Sequence, residues 1–321
     1  MKLLAKTLRA TLPALAALCV ASASAADYPV RPVEMLVPST AGGGTDVMAR
    51  VFADTAKKYF SQPMVVNNKP GASGGIAMSE VQRAAPDGYK VAVIISELAI
   101  IPHLGISKVT VNDFIAIARL NGDPGLIAVR ADSPFRSIED LLAQARKQPG
   151  ALTMGNAGTG TIWHLAAVAV EDKNGVKFNN VPFQGSSPSV MALVGGHVDA
   201  ITVSPAEIGS NVAAGKVRVL VSMGDRRLPP PYDNVPTFKE KGVDLVLGTW
   251  RGLGVPLNTP ADVVQNLRET ARKTAQDPAF PEAMMRANLQ PAYLDGPAFQ
   301  AFMGEQSAYF KKLLGRLDIQ K

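Results

Sequence analysis

The chain has 321 residues, a hydrophobic share of 47%, a single cysteine and a formal charge of +6. That length and apolar content can bury a sizeable core, most readily as two domains, and they exclude a disulfide-stapled or low-complexity chain. The positive charge is not gathered into a basic run with interleaved aromatics, so nucleic acid is excluded as a partner.

The first residues read as a secretory signal peptide, residues 1–25. Lys2, Lys6 and Arg9 form a basic start, Leu12–Val20 a short apolar stretch, and Ala21–Ala26 a run of small residues suited to cleavage. The cut is expected after Ala25, with Ala26 the other candidate. Cleavage would remove the three basic residues and no acidic one, taking the formal charge from +6 to +3. Cys19 would leave as well. A lipoprotein reading of Cys19 fails because Leu18 stands where a small residue is wanted, and no Arg-Arg pair supports twin-arginine export. After Ala25 no apolar run reaches membrane length.

Strands and helices then alternate. Val33–Val37 is an expected strand, followed by the turn Pro38-Ser39-Thr40-Ala41-Gly42-Gly43-Gly44-Thr45-Asp46 and a helix to about Tyr59. Met64–Asn68 is a strand, followed by Pro70-Gly71-Ala72-Ser73-Gly74-Gly75 and a helix to about Ala85. Pro86-Asp87-Gly88 is a turn, and Tyr89–Ile95 a buried strand. Ile115–Leu120 and Leu126–Arg130 are strands. Ser137, with Asp140 three residues on, starts a helix to about Lys147. Leu152–Gly155 is a strand, then come Gly155-Asn156-Ala157-Gly158-Thr159-Gly160-Thr161 and a helix over Ile162–Asn174. Asn180–Phe183, Ala200–Val203 and Val217–Met223 are strands, and Ser187–Val194 a helix. Leu228–Tyr232 is a proline-rich surface loop, Val246–Val255 a long extended stretch, and from Pro260 onward the chain is helical in about three pieces.

This alternation predicts an α/β fold built on a parallel sheet with helices on both faces. In such sheets ligands sit beyond the carboxyl ends of the strands. All three glycine turns lie at that end of their own strands. Glycine lets a ligand approach the backbone closely, and the following helix start offers unpaired N–H groups and a positive dipole end. Three such turns predict a site built from backbone donors for a small anion.

Other polar residues have plainer readings. Asp46, in the first turn of its helix, divides evenly between capping and ligand contact. His164 reads as packing beneath the third turn, Trp250 as core or hinge packing, and Asp199 as a turn residue. The three histidines, His103, His164 and His197, have no metal-site spacing, so no metal is expected. No cofactor is expected either. The first turn has no P-loop lysine, and Gly158-Thr159-Gly160 lacks the dinucleotide spacing. There is no Gly-x-Ser-x-Gly elbow, so the chain does not read as an enzyme; a secreted hydrolase is a distant alternative.

The order and spacing of these blocks resemble the receptors of tripartite tricarboxylate transporters, also called the Bordetella uptake gene family. The likeness is carried by Pro38–Asp46, Asn68–Gly74, Pro86–Tyr89, Asp113-Phe114, Gly158–Gly160 with His164-Leu165, Val181–Gly185, Leu193–Gly196 with Val198-Asp199, Gly215–Arg218, and Trp250 with Thr259-Pro260. It implies a two-lobed type II periplasmic binding fold, with two hinge crossovers near Gly122–Gly125 and Trp250–Pro256. Lobe 1 would comprise residues 26–122 and 250–321, and lobe 2 residues 123–249. Gly and Pro at the crossovers suit hinge duty.

The resemblance implies a periplasmic, monomeric solute-binding protein that takes a small organic acid and hands it to membrane transporter subunits. A sensor feeding a two-component system is the alternative output. One carboxylate would be held by Thr40, Gly42, Gly43, Gly44, Thr45 and Asp46 together with Ala72, Ser73 and Gly74, largely through backbone amides and water. The far end would meet Gly158, Thr159, Gly160, Thr161, Gln184, Ser186, Ser187 and Ser204. Ser73 and Ala77 stand where the family commonly has glycine. Phe183-Gln184 stands where tyrosine-lysine is common, and glutamine supplies no charge for a second carboxylate. Gly43→Val and Gly74→Val are each expected to abolish binding and spare the fold.

Overall fold

The computed structural model describes residues 28–315; the signal segment, its cleavage site and Cys19 lie outside the described residues. The first part of the chain supplies β1 (Val33–Val37), α1 (Gly44–Ala56), β2 (Met64–Asn68), α2 (Gly75–Gln82) and β3 (Lys90–Ile95). β1 pairs in parallel with both β2 and β3. α1 buries Met48, Phe52 and Ala56, a 3.6-residue stripe, so its apolar face lies on the core.

β4 (Phe114–Pro124) leaves this sheet and, across Gly125, continues as β5 (Leu126–Arg130) of a second one. There follow α3 (Ile138–Lys147), β6 (Thr153–Asn156), α4 (Ile162–Asn174), β7 (Asn179–Pro182), α5 (Ser186–Val194), β8 (Ala200–Val203), α6 (Pro205–Ala213) and β9 (Val217–Ser222). β10 (Gly248–Pro256) returns to the first sheet, and α7 (Ala261–Gln276), α8 (Ala279–Arg286), β11 (Pro291–Asp295) and α9 (Gly296–Leu314) complete it.

The strand orders are β11-β4-β10-β3-β1-β2 and β7-β6-β8-β5-β9. The expectation of a parallel sheet is corrected: both sheets are mixed. β10 lies antiparallel between β3 and β4, and β5 lies antiparallel between β8 and β9. The physical reason is the same in each. A helix-linked pair such as β8–α6–β9 stays parallel, but a strand arriving from the other sheet is inserted between its members in the opposite sense.

The crossovers run side by side, with Gly248 opposite Pro124 and Pro256 opposite Phe114. A Cβ at Gly248 would fall 2.2 Å from the Asp123 carbonyl oxygen, so this approach requires glycine. Trp250 is buried, edge-on to Phe299 and Phe302 of α9.

Two elements were not anticipated. α6 opens with a capping box, Ser204 with Glu207, and Pro205 in its first turn, a start that local sequence marks. β11 interrupts the expected helical tail. It is an edge strand whose alternate residues are only partly buried, so its apolar pattern is faint. The proline-rich loop is exposed at Pro229, Pro230 and Pro231 but anchors Leu228 and Tyr232 in the interior.

Candidate functional site

The glycine turns converge on one cavity of about 440 Å³ between the two sheets. Its walls are loops that follow the carboxyl ends of β1, β2, β3, β6 and β7, joined by Glu207 of α6 and by Thr249 and Arg251 of β10. Thirteen of the expected site residues line it: Thr40, Gly43, Gly44, Thr45, Ala72, Ser73, Gly74, Gly158, Thr159, Thr161, Gln184, Ser186 and Ser187.

Four expected residues do not line it, each for a visible reason. Gly42 is on the outer side of its turn and donates its N–H to Asp46 Oδ2 at 2.9 Å. Asp46 is buried and also accepts from Arg50 Nε at 3.0 Å, so its carboxylate serves the turn. Burial raises the Asp46 carboxyl, but Arg50, the Gly42 N–H and Asn68 outweigh burial and hold it below the usual carboxylate range. Gly160 packs under Leu104 and Ile106. Ser204 donates its hydroxyl to Glu207 Oε2 at 2.7 Å, as the cap of α6. His164 accepts the Gly160 N–H on Nδ1 at 3.3 Å and so braces the third turn; burial lowers its pKa. Asp199 ties to the Thr153 N–H and hydroxyl.

Five helices begin at or beside the cavity, and their starts differ. α1, α2 and α5 follow Gly43, Gly74 and Gly185, and none of these three starts has a side-chain cap. In α1 and α5 the first N–H groups are the open, anion-friendly ends, whereas in α2 the Gly75 and Ile76 N–H groups already donate to the Ala72 and Gly71 carbonyls of the second turn. The other two starts are supplied with carboxylates by the chain. Glu207 Oε2 accepts the Ser204 N–H at 2.6 Å in α6. In α4, Glu97 Oε1 accepts the Ile162 N–H at 3.1 Å.

The second turn is unusual in its backbone. Ala72, Ser73 and Gly74 have φ of 47°, 50° and 87° in succession, two of them not glycine. Such residues each store about 1–3 kcal/mol and occur where the surroundings over-determine the turn. Ser73 Oγ donates to the Thr159 carbonyl at 3.0 Å, joining the second and third turns.

Below the turns lies a buried polar group that the sequence reading had missed. Arg251 donates from Nε to Thr45 Oγ1 at 3.0 Å and from Nη1 to Asp123 Oδ2 at 2.6 Å and to Asn121 Oδ1. Its Nη2 lies 3.9 Å from Glu207 Oε1. Glu97 also takes the Ser96 hydroxyl on Oε2 at 3.1 Å. Burial pushes the Glu97 carboxyl up, against the Ile162 N–H, Ser96 and Arg251. Both residues were detectable as single charges inside apolar stretches, Val91–Ile101 and Leu247–Val255. Among the described residues lining the cavity, Arg251 is the single cation, facing Glu97 and Glu207.

A larger hollow of about 900 Å³ opens elsewhere beside the crossover strands, lined by Arg119, Trp250, Phe302 and Tyr309 among others. It contains none of the three glycine turns, so the smaller cavity is the candidate site. Among the described residues, no group of three His, Cys, Asp or Glu is arranged to hold a metal.

Two mixed sheets joined by paired crossovers, with a ligand-sized cavity between them, define a periplasmic binding protein fold. A family model described as the tripartite tricarboxylate transporter family receptor matches residues 48–319. A Cupriavidus necator protein, named for its position in the gbd 5' region, is 34% identical over 302 residues, covering 94% of this chain and 92% of that one. A TctC solute binding protein from Polaromonas, solved without ligand, is 46% identical with a TM-score of 0.71, covering 90% of this chain and 100% of that one. Rpa4515 of R. palustris, solved with adipate, is 27% identical with a TM-score of 0.84, covering 90% and 98%. The chain belongs to the tripartite tricarboxylate transporter receptor family.

Proposed function

We propose that this chain is a periplasmic receptor that captures a small organic acid between two lobes and delivers it to membrane transporter subunits. The observation that carries the reading is the convergence of two open helix starts, α1 and α5, and the three glycine turns on one cavity. Backbone N–H groups and aligned dipoles favour a carboxylate there without any free cation. The family's name supplies the transporter as partner, and the R. palustris protein's adipate supplies the ligand chemistry.

Within the described residues, lobe 1 comprises 28–122 and 250–315, and lobe 2 comprises 123–249, hinged at the crossovers. Three contacts between these lobes support a closed arrangement: Ser73 to Thr159, Glu97 to Ile162, and Arg251 to Glu207. The similarity scores support it too. The chain superposes better on the adipate-bound protein than on the ligand-free one, although the latter is more identical in sequence. Such an inversion is what a difference in lobe closure would give.

A thermal-shift panel of acids, each beside its primary amide, tests the reading on the secreted form. Ligand at a hundred times its dissociation constant adds about 2.7 kcal/mol. An acid that shifts the melt while its amide does not is the expected result. Shifts from amides or cations alone would overturn carboxylate capture.

A further inference from the structure

We infer that Glu97 makes this receptor selective for monoacids, by filling from within the seat that the second carboxylate of a diacid would take. This inference rests on the carboxylate-capture reading above.

Glu97 sits in the 3₁₀ segment Ser96–Ala99 that directly follows β3, and in the cavity wall it accepts the first N–H of α4. That N–H, of Ile162, directly follows the third glycine turn and lines the same cavity as the first two. A helix start in this position is the natural receiver for a distal anion. Here the receiver is already occupied: Thr161 Oγ1 accepts the His164 N–H at 3.4 Å, and Glu97 Oε1 accepts the Ile162 N–H at 3.1 Å.

No free cation awaits a second carboxylate either. Arg251 is committed to Asp123, Asn121 and Thr45, and Glu207 borders its remaining nitrogen. No lysine lines the cavity. A second carboxylate would therefore face two glutamates without a cation to receive it, whereas an apolar or hydrogen-bond-donating tail meets no such obstacle. Glu97 is also partnered by Ser96, whose hydroxyl reaches Thr249 Oγ1 at 3.1 Å, so its side chain is held in place.

The test measures affinities of matched pairs that differ by one terminal carboxylate: butanoate with succinate, hexanoate with adipate, benzoate with terephthalate. Wild type is compared with Glu97→Ala and with Glu97→Gln, which keeps an acceptor for Ile162 but removes the charge. Wild type is expected to favour the monoacid of each pair it binds. Glu97→Ala should raise diacid affinity relative to monoacid by roughly 10- to 100-fold, the scale of one charge-assisted hydrogen bond. Glu97→Gln should move the ratio the same way by less, and it carries the test if the alanine variant does not fold.

Diacid binding by wild type equal to that of the monoacids, or an unchanged ratio in a folded variant, overturns the role of Glu97. Absence of binding by every acid in wild type and variants overturns the carboxylate reading itself, a separate failure.

Discussion

Gly43 and Gly74 look equivalent in the sequence and are not equivalent in the fold. Gly43 has φ −77° and ψ 165°, and a Cβ there would meet only the Thr40 carbonyl at 3.5 Å. Valine fits that backbone. Gly74 has φ 87°, and its Cβ would press on Ile95 at 2.9 Å and Pro38 at 3.1 Å. The two valine variants are therefore expected to differ, Gly43→Val sparing the fold and Gly74→Val straining it. Gly74→Val should destabilise by about 2–4 kcal/mol from left-handed strain plus overpacking, and Gly43→Val by much less. Paired denaturant melts check this: equal midpoints would contradict it. The residues that most shape the cavity floor, Glu97 and Arg251, were legible only as misplaced charges. Their partners are 65 and 206 residues away in sequence, beyond what local pattern conveys.

At the scale of elements, most strands and helices were readable because their signals are local. Ser137 and Asp140 form the expected capping box of α3, and β1 and β2 pair in parallel around the first glycine turn. Strand sense was not readable for β5 and β10, because it depends on which sheet a strand enters. These crossovers are held by the Arg251–Asp123 pair, with side chains 2% and 0% exposed. Arg251→Ala would leave Asp123 charged, buried and unpaired. It should cost about 3–5 kcal/mol in equilibrium unfolding. A loss below about 1 kcal/mol, the range of surface pairs, would show that the pair does not hold the crossovers.

For the molecule as a whole, the resemblance in the sequence carried the family and the fold class, and the glycine turns pointed to the cavity that they line. Neither carried the division of labour among helix starts: α1 and α5 left open, α2 closed on its own turn, and α4 and α6 supplied with the chain's own carboxylates. The α4 part of that division depends on the lobes meeting, since Glu97 and Ile162 come from different lobes. Ligand draws the lobes together only to the extent that it binds the closed form better than the open one. The most direct test of the account is a calorimetric titration of the best acid into wild type and Gly43→Val, under conditions where both are folded. The account predicts one site per chain in wild type and roughly 10- to 100-fold weaker binding in the variant, because the added methyl groups occupy the carboxylate's place. Equal affinity in the two proteins would contradict it and move the ligand away from the glycine turns.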